Sequence, residues 1–393
     1  MIYPVLRYVL FTVLSALLAD STFKESAQPP AFKNVSETHL ISPYLGGNSM
    51  DGEAHDIDGD GDMDMILAME YRRNLVLIND GTGRLKDQSA QRFPNKTHDS
   101  EDMAIADFDR DGDMDIICVS EDDRTNEYYK NKGNGHFEDV STLLGFKGIS
   151  NVVETADINA DGSPDLIVGN QGQNFVMVNN GKGQFLDKTS TYLEPNTYTT
   201  QDLALADIDG DGDMDIIEAN ETFNRVLINT GKGNFVDESK KRLPGVNDQT
   251  REVELADIDA DGDLDIFFAN VDFRGFGNPQ NRLLTNDGEG FFTEITEKAL
   301  PQSAYRTVGA TFFDINNDGY MDILSGNRFN GTQMIVLLND HGNRFEDRTK
   351  EYFPECNSYT FDFQIADFNA DGLMDVYLCN FRGKDILLFR EQN

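Results

Sequence analysis

At 393 residues the chain is long enough for one large domain or two ordinary ones, and with 70 acidic against 33 basic residues it carries a net charge of −37. So negative a chain argues against nucleic acid or an anionic membrane surface as partner. Disorder does not fit either: 39% of residues are hydrophobic, 27 phenylalanines recur at regular positions, and much of the acid is gathered in short clusters.

In chain order the first element is an apolar run, Tyr8 to Leu18, preceded by Arg7 and too short to span a bilayer. It reads as a secretory signal over residues 1–19, cleaved near Ala19, with a retained membrane anchor as the alternative. No later segment is apolar enough to cross a membrane, so the expected mature chain has no membrane span and is secreted, extracellular or periplasmic. Three cysteines, Cys118, Cys356 and Cys379, do not make a disulfide framework; Cys356 and Cys379 either pair or are two buried thiols. N-glycosylation sequons stand at Asn34, Asn95, Asn220 and Asn330.

From residue 56 the chain is a repeat. The loop Asp56-Ile57-Asp58-Gly59-Asp60-Gly61-Asp62-Met63-Asp64 recurs from Asp107, Asp157, Asp207, Asp257, Asp314 and Asp367. Seven occurrences at near-constant spacing define seven units. Each unit divides into four short β-rich runs. In the fourth these are Leu203 to Asp207, Asp215 to Asn220, Arg225 to Asn229 and Asn234 to Asp237, separated by the acidic loop and Gly-rich turns. Four-stranded units of this size predict an all-β fold, a seven-bladed β-propeller spanning residues 31–393. The last unit lacks its fourth run. Ala31-Phe32-Lys33-Asn34-Val35-Ser36 is similar to the missing one, so an N-terminal strand is expected to close the ring.

Each loop brings side-chain oxygens to positions 1, 3, 5 and 9, a glycine to the turn at position 6, and a backbone carbonyl to position 7. The donors are Asp56, Asp58, Asp60 and Asp64; Asp107, Asp109, Asp111 and Asp115; Asp157, Asn159, Asp161 and Asp165; Asp207, Asp209, Asp211 and Asp215; Asp257, Asp259, Asp261 and Asp265; Asp314, Asn316, Asp318 and Asp322; and Asp367, Asn369, Asp371 and Asp375. An oxygen-only set suits a hard cation, Ca2+, up to seven per chain, and not zinc. Carboxylates about 4 Å apart repel by roughly 4 kcal/mol at an effective dielectric near 20, so their convergence calls for a cation. An EF-hand does not fit, since its position-12 Glu occurs only as Glu218 and the flanks are strands. The loops with Asn159, Asn316 and Asn369 lack one charge and are expected to bind more weakly.

These loops, with the motif Asn179-Asn180-Gly181-Lys182-Gly183-Gln184-Phe185-Leu186-Asp187-Lys188-Thr189, resemble FG-GAP/VCBS repeats of the type found in integrin α-subunit propellers. The resemblance implies calcium between the first and second strands and a role in extracellular binding or adhesion. Unlike integrin repeats, the second runs end in pairs such as Gly169-Asn170 and Ala219-Asn220, and all seven units carry a loop.

Metal loops are expected on one face. On the other, the connections from second to third strand are longest in units five and six and contain Phe273, Arg274, Phe276, Arg328 and Phe329. Five residues before each first ligand stand Asp51, Asp102, Asp202, Glu252 and Asp362, with Val152 and Gly309 in the other two units. These acids either staple neighbouring blades or ring a ligand site at the channel mouth. The expected function is a non-catalytic binding or adhesion module for an extracellular protein or carbohydrate. The alternative is a polysaccharide lyase or hydrolase, although His39, His55, His98, His136 and His341 form no catalytic grouping.

Overall fold

The computed structural model describes residues 32–391 except 274, 276, 277, 304, 329–333, 356 and 357. Arg274, Phe276, Cys356, Asn330 and the apolar N-terminal run lie outside the described residues. The described chain is a seven-bladed β-propeller. In the fourth blade Thr200–Ala206, Asp215–Asn220, Arg225–Asn229 and Phe235–Asp237 form a consecutive antiparallel meander. The other six repeat this order, and blade one adds a parallel two-residue strand, Leu40–Ile41.

Blade seven is completed from the other end of the chain. Phe32–Asn34 pairs antiparallel with Ile386–Arg390, Lys33 opposite Phe389. The chemistry matches as well as the position. In blades one to four and six the fourth strand ends on an Asp (blade five has Glu294 there) whose carboxylate takes the N–H of the Ser or Thr two residues on, as Asp237 does for Ser239 at 3.0 Å. That hydroxyl then caps the third strand, Val226 N–H donating to Ser239 Oγ at 3.0 Å. In the closing strand Asn34 Oδ1 takes the Ser36 N–H at 3.0 Å, and Leu387 N–H donates to Ser36 Oγ at 2.9 Å. The motif therefore does not end as strand. The Asp or Asn carboxamide turns the chain into one helical turn, Ser239–Arg242 in blade four and Ser36–His39 after the closing strand.

The core lies between blades. Second strands are buried at every position, as in Asp215–Asn220. Apolar clusters join neighbours, for instance Ile217, Ala219 and Val226 of blade four with Val253, Leu255 and Phe268 of blade five. Two hydrogen-bond rings reinforce the seams. On the inner strands, Asp51 accepts from Met103 N–H at 3.0 Å, Asp102 from Val153 at 2.7 Å, Asp202 from Val253 at 2.8 Å and Asp362 from Gly52 at 3.2 Å. Each carboxylate thus ties its blade to the next through backbone N–H. Between blades six and seven the seam is closed by contact: a Cβ on Gly309 would stand 2.0 Å from Phe361 O.

The second ring runs at the other end. Asn79, Asn131, Asn179, Asn229, Asn286 and Asn339 close the third strands, and each donates to a carbonyl in the acidic loop of the preceding blade, as Asn179 Nδ2 does to Phe108 O at 2.8 Å. Arg390 makes the equivalent bond to Ile315 O at 2.9 Å.

Candidate functional site

Each acidic loop sits between first and second strands and is held by its own backbone. Position 1 accepts N–H bonds from positions 5 and 6: Asp207 takes Asp211 and Gly212 at 3.1 and 2.9 Å. Position 5 accepts from position 7, as Asp211 does from Asp213 at 2.9 Å. Position 9 is fully buried and doubly used, Asp215 taking Asn229 N–H at 2.7 Å and Ile208 N–H at 3.1 Å. Burial pushes the carboxyls of Asp64, Asp115, Asp165, Asp215, Asp265, Asp322 and Asp375 up to about 7, against the lowering by those N–H groups.

Position 3 separates the loops into two sets. In loops one, two, four and five, Asp58, Asp109, Asp209 and Asp259 each hold Oδ1 buried without a hydrogen-bond partner. Carboxylate oxygens converge within 4.8 Å in the same four loops: Asp56, Asp58 and Asp64; Asp107, Asp109 and Asp111; Asp207, Asp209 and Asp215; Asp257, Asp259 and Asp265. Those groups can hold a metal ion, and the orphan oxygen is the atom such an ion would satisfy. In loop three, Asn159 Nδ2 instead donates to Asp165 Oδ2 at 2.8 Å, and in loop six Asn316 Nδ2 donates to Asp318 Oδ2 at 2.8 Å. The amide there already supplies the positive end that the other loops lack. In loop seven Asn369 Oδ1 accepts the Asp371 N–H at 2.9 Å.

Side-chain cations also reach some loops. Arg92 pairs with Asp58 at 3.0 Å and Arg242 with Asp209 at 3.2 Å, each on Oδ2, leaving Oδ1 orphaned. In loop two Lys130 pairs with Asp109 and stands 3.1 Å from Asp111.

On the opposite face the sequence reading missed the principal feature. Every inner strand has a register shift just before the seam acid, between Ser49 and Asp51, Ser100 and Asp102, and so on through Thr360 and Asp362. The residue left out of register lines the channel mouth: Met50, Glu101, Asn151, Gln201, Arg251, Val308 and Phe361 in blade order. A bulge re-aims one side chain without breaking the sheet. The only signal in the sequence is that these seven differ while their neighbours repeat. Arg251 spans the mouth, bonding Gln201 Oε1, standing 3.7 Å from Glu101 and lying over the Phe361 ring at 5.7 Å. The cavity it leaves is about 40 Å³, room for waters and too small for a sugar ring.

The seam acids Asp51, Asp102, Asp202, Glu252 and Asp362 line this cavity from behind the bulge residues. Arg328 stacks on Phe273 at 4.9 Å, and Arg382 on Phe381 at 5.7 Å. Among the described residues the exposed aromatics are Tyr44, Tyr71, Phe223 and Phe273, all in connections on this face. Asn220, a sequon residue, is fully buried and closed to modification in the folded chain. Cys118 and Cys379 are buried free thiols.

Fold and loops together define a repeat propeller with acidic loops on one face. The chain belongs to the FG-GAP-like repeat family, whose model matches residues 56–118, 107–168, 157–218, 207–268 and 270–325. A search of curated protein sequences returned no match. Among solved structures the chain is similar to an Agrocybe aegerita lectin that recognises non-reducing terminal N-acetylglucosamine, with TM-score 0.53 and 19% identity over 86% of this chain and 87% of that one. It is also similar to BBS1N, solved in complex with ARL6DN, with TM-score 0.60 and 10% identity over 93% of this chain and 98% of that one. At these identities the likeness concerns the fold. Among the described residues no helix is long and apolar enough to cross a membrane.

Proposed function

We propose that this chain is a secreted, calcium-binding propeller that recognises an extracellular protein or glycan through the face opposite its acidic loops. The observation that carries the reading is the gathering on that face of Tyr44, Tyr71, Phe223 and Phe273, the exposed aromatics among the described residues, around seven non-repeating bulge residues. Exposed aromatics and stacked arginines are the residues on which interfaces concentrate their energy. The cavity volume favours a ligand lying across the face, over Phe273, Arg328 and Tyr71, and not one entering the channel. The Agrocybe aegerita lectin supports glycan recognition as something this architecture accommodates. Calcium in the acidic loops is supported by the orphan oxygens at position 3, and its part is structural. Secretion rests on the apolar N-terminal run.

The test is a glycan array and an extracellular-protein binding screen with the mature chain in calcium. The expected outcome is a ligand whose affinity falls at least tenfold in Phe273→Ala and Arg328→Ala, with thermal stability unchanged. Binding unaffected by both substitutions but lost on changing the exposed acidic-loop face would refute the assignment of faces. Turnover of a bound polysaccharide would replace the binding module by an enzyme.

A further inference from the structure

Among the described residues outside the repeat loops, one more group of carboxylates converges. Glu70 follows the second strand of blade one, Asp99 precedes the inner strand of blade two, and Glu101 is the bulge residue of that strand. One oxygen from each lies within 4.8 Å of the others. The three meet at the seam of blades one and two, on the face away from the acidic loops; Glu70 has counterparts in Glu121 and Glu221 after the second strands of blades two and four, whereas Glu101 has none. The equivalents of Glu101 in the other blades are Met50, Asn151, Gln201, Arg251, Val308 and Phe361, so the grouping cannot be a by-product of the repeated pattern.

A second, independent observation concerns Asp99. It is 2% exposed; its Oδ2 accepts the Asp122 N–H at 2.8 Å, while its Oδ1 is buried with no hydrogen-bond partner. This is the same signature that marks position 3 in the repeat loops. Glu101 is buried too, and Glu70 is half-buried with Asn48 Nδ2 at 3.4 Å. Arg251 offsets part of the group's charge as an ion pair with Glu101 at 3.7 Å, and Arg328 acts electrostatically on Glu70. Asp122 and Glu121 add further negative charge. Burial drives Glu70, Asp99, Glu101 and Glu121 upward in pKa, and neighbouring carboxylates add to it, against the lowering by Arg251 at Glu101 and Glu121 and by the Asp122 N–H at Asp99.

We propose that Glu70, Asp99 and Glu101 form a divalent-cation site at the blade-one/blade-two seam, distinct from the seven repeat loops. The donors are all carboxylate oxygens, which select a hard ion of the calcium class. Oxygens bound to one calcium at about 2.4 Å are at most about 4.8 Å apart, and the three lie within that limit of one another. Three protein ligands leave positions on the ion for water or for an oxygen of a ligand lying on this face, beside Tyr71. The site stands on its own residues whether or not the repeat loops hold calcium.

The experiment counts calcium ions bound per folded chain by equilibrium titration, in the wild type and in Asp99→Asn/Glu101→Gln. The expected result is one ion fewer in the double variant, with a thermal midpoint in EDTA equal to or above that of the wild type and a smaller rise on adding calcium. An unchanged ion count overturns the proposal, as does a variant destabilised equally with and without calcium. Should the variant not fold, crystals of the wild type soaked in terbium decide: an anomalous peak among the three carboxylates is expected, and its absence at saturation of the repeat loops overturns the site. Loss of peaks in the repeat loops alone would count against calcium there and leave this site standing.

Discussion

Asp385 opens the third strand of blade seven where other blades place Asn74, Asn126, Asn174, Asn224 and Asn281. Asn74 donates to Glu127 Oε2 at 3.1 Å. From Asn126, Asn174, Asn224 and Asn281 the amide donates instead to a hydroxyl on the next blade, as Asn174 Nδ2 does to Thr200 Oγ1 at 2.9 Å, and the hydroxyl donates onward to Asn220 Oδ1 at 2.8 Å. Blade one has Met69 in place of that last acceptor, so Ser49 turns its hydroxyl back to Asp385 Oδ2 at 2.8 Å. Asp385 takes two more donors, Asn380 N–H at 2.9 Å and the Tyr377 hydroxyl at 3.0 Å, yet burial still pushes its carboxyl up to about 7. A folded-state pKa above the unfolded value means the folded chain holds the proton longer. Stability from this group therefore falls as pH rises from about 4 to about 7. Asp385→Asn should remove that slope, its advantage over wild type being greater at pH 8 than at pH 5 by about 1–3 kcal/mol, read from urea denaturation at the two pH values. A variant whose advantage does not change with pH would show that Asp385 is ionised in both states.

At the scale of elements, the motif that closes each third strand is a coupling device. Asn179 is buried, accepts the Gly181 N–H at 3.1 Å and donates to Phe108 O, the second residue of the preceding acidic loop. Asn179→Ala should cost about 2–4 kcal/mol and weaken cation binding in the loop from Asp107, while Asn180→Ala on the exposed turn costs a few tenths. Equal losses from both would mean the inter-blade bond carries nothing. This link was half legible. The sequence displays Asn followed by two glycines in unit after unit, and the second glycine is required: Gly183 has φ +65 and a Cβ there would stand 2.3 Å from the Tyr128 hydroxyl of the preceding blade. That the side chain crosses a seam is not readable, because the partner carbonyl lies 71 residues earlier. The bulge ring was hidden for a similar reason. Alternation of apolar and polar residues reports which face a strand residue takes only while pairing stays in register, and the shift at Ser100/Asp102 breaks it where no glycine or proline marks the place. Position 3 of the acidic loops, by contrast, was fully legible, since Asp209 against Asn159 is a difference of side-chain chemistry alone.

The whole molecule is a ring closed by a strand from its other end, with the two hydrogen-bond rings running round it. Cooperative unfolding follows, since no blade can leave without opening two seams. If the four loops with an orphan oxygen hold calcium at a hundredfold above their dissociation constants, each adds about 2.7 kcal/mol, so chelation should remove about 10 kcal/mol. Calorimetry should show one transition moving down by many degrees in EDTA and restored by calcium in excess. A midpoint indifferent to EDTA would exclude the repeat loops as stabilising sites. Several transitions would instead mean that the seams do not couple the blades.

The bulge in each inner strand places Met50, Glu101, Asn151, Gln201, Arg251, Val308 and Phe361 around a common axis, while the carboxylates that tie blade to blade, Asp51, Asp102, Asp202 and Asp362, stand beside four of them. The residues that differ from blade to blade thus stand beside most of those that tie the seams, Asn151 being an exception that donates to Thr200 O of the next blade at 2.7 Å. A lineage, or a designer, can rewrite the chemistry of the mouth one blade at a time and leave the ring that displays it intact.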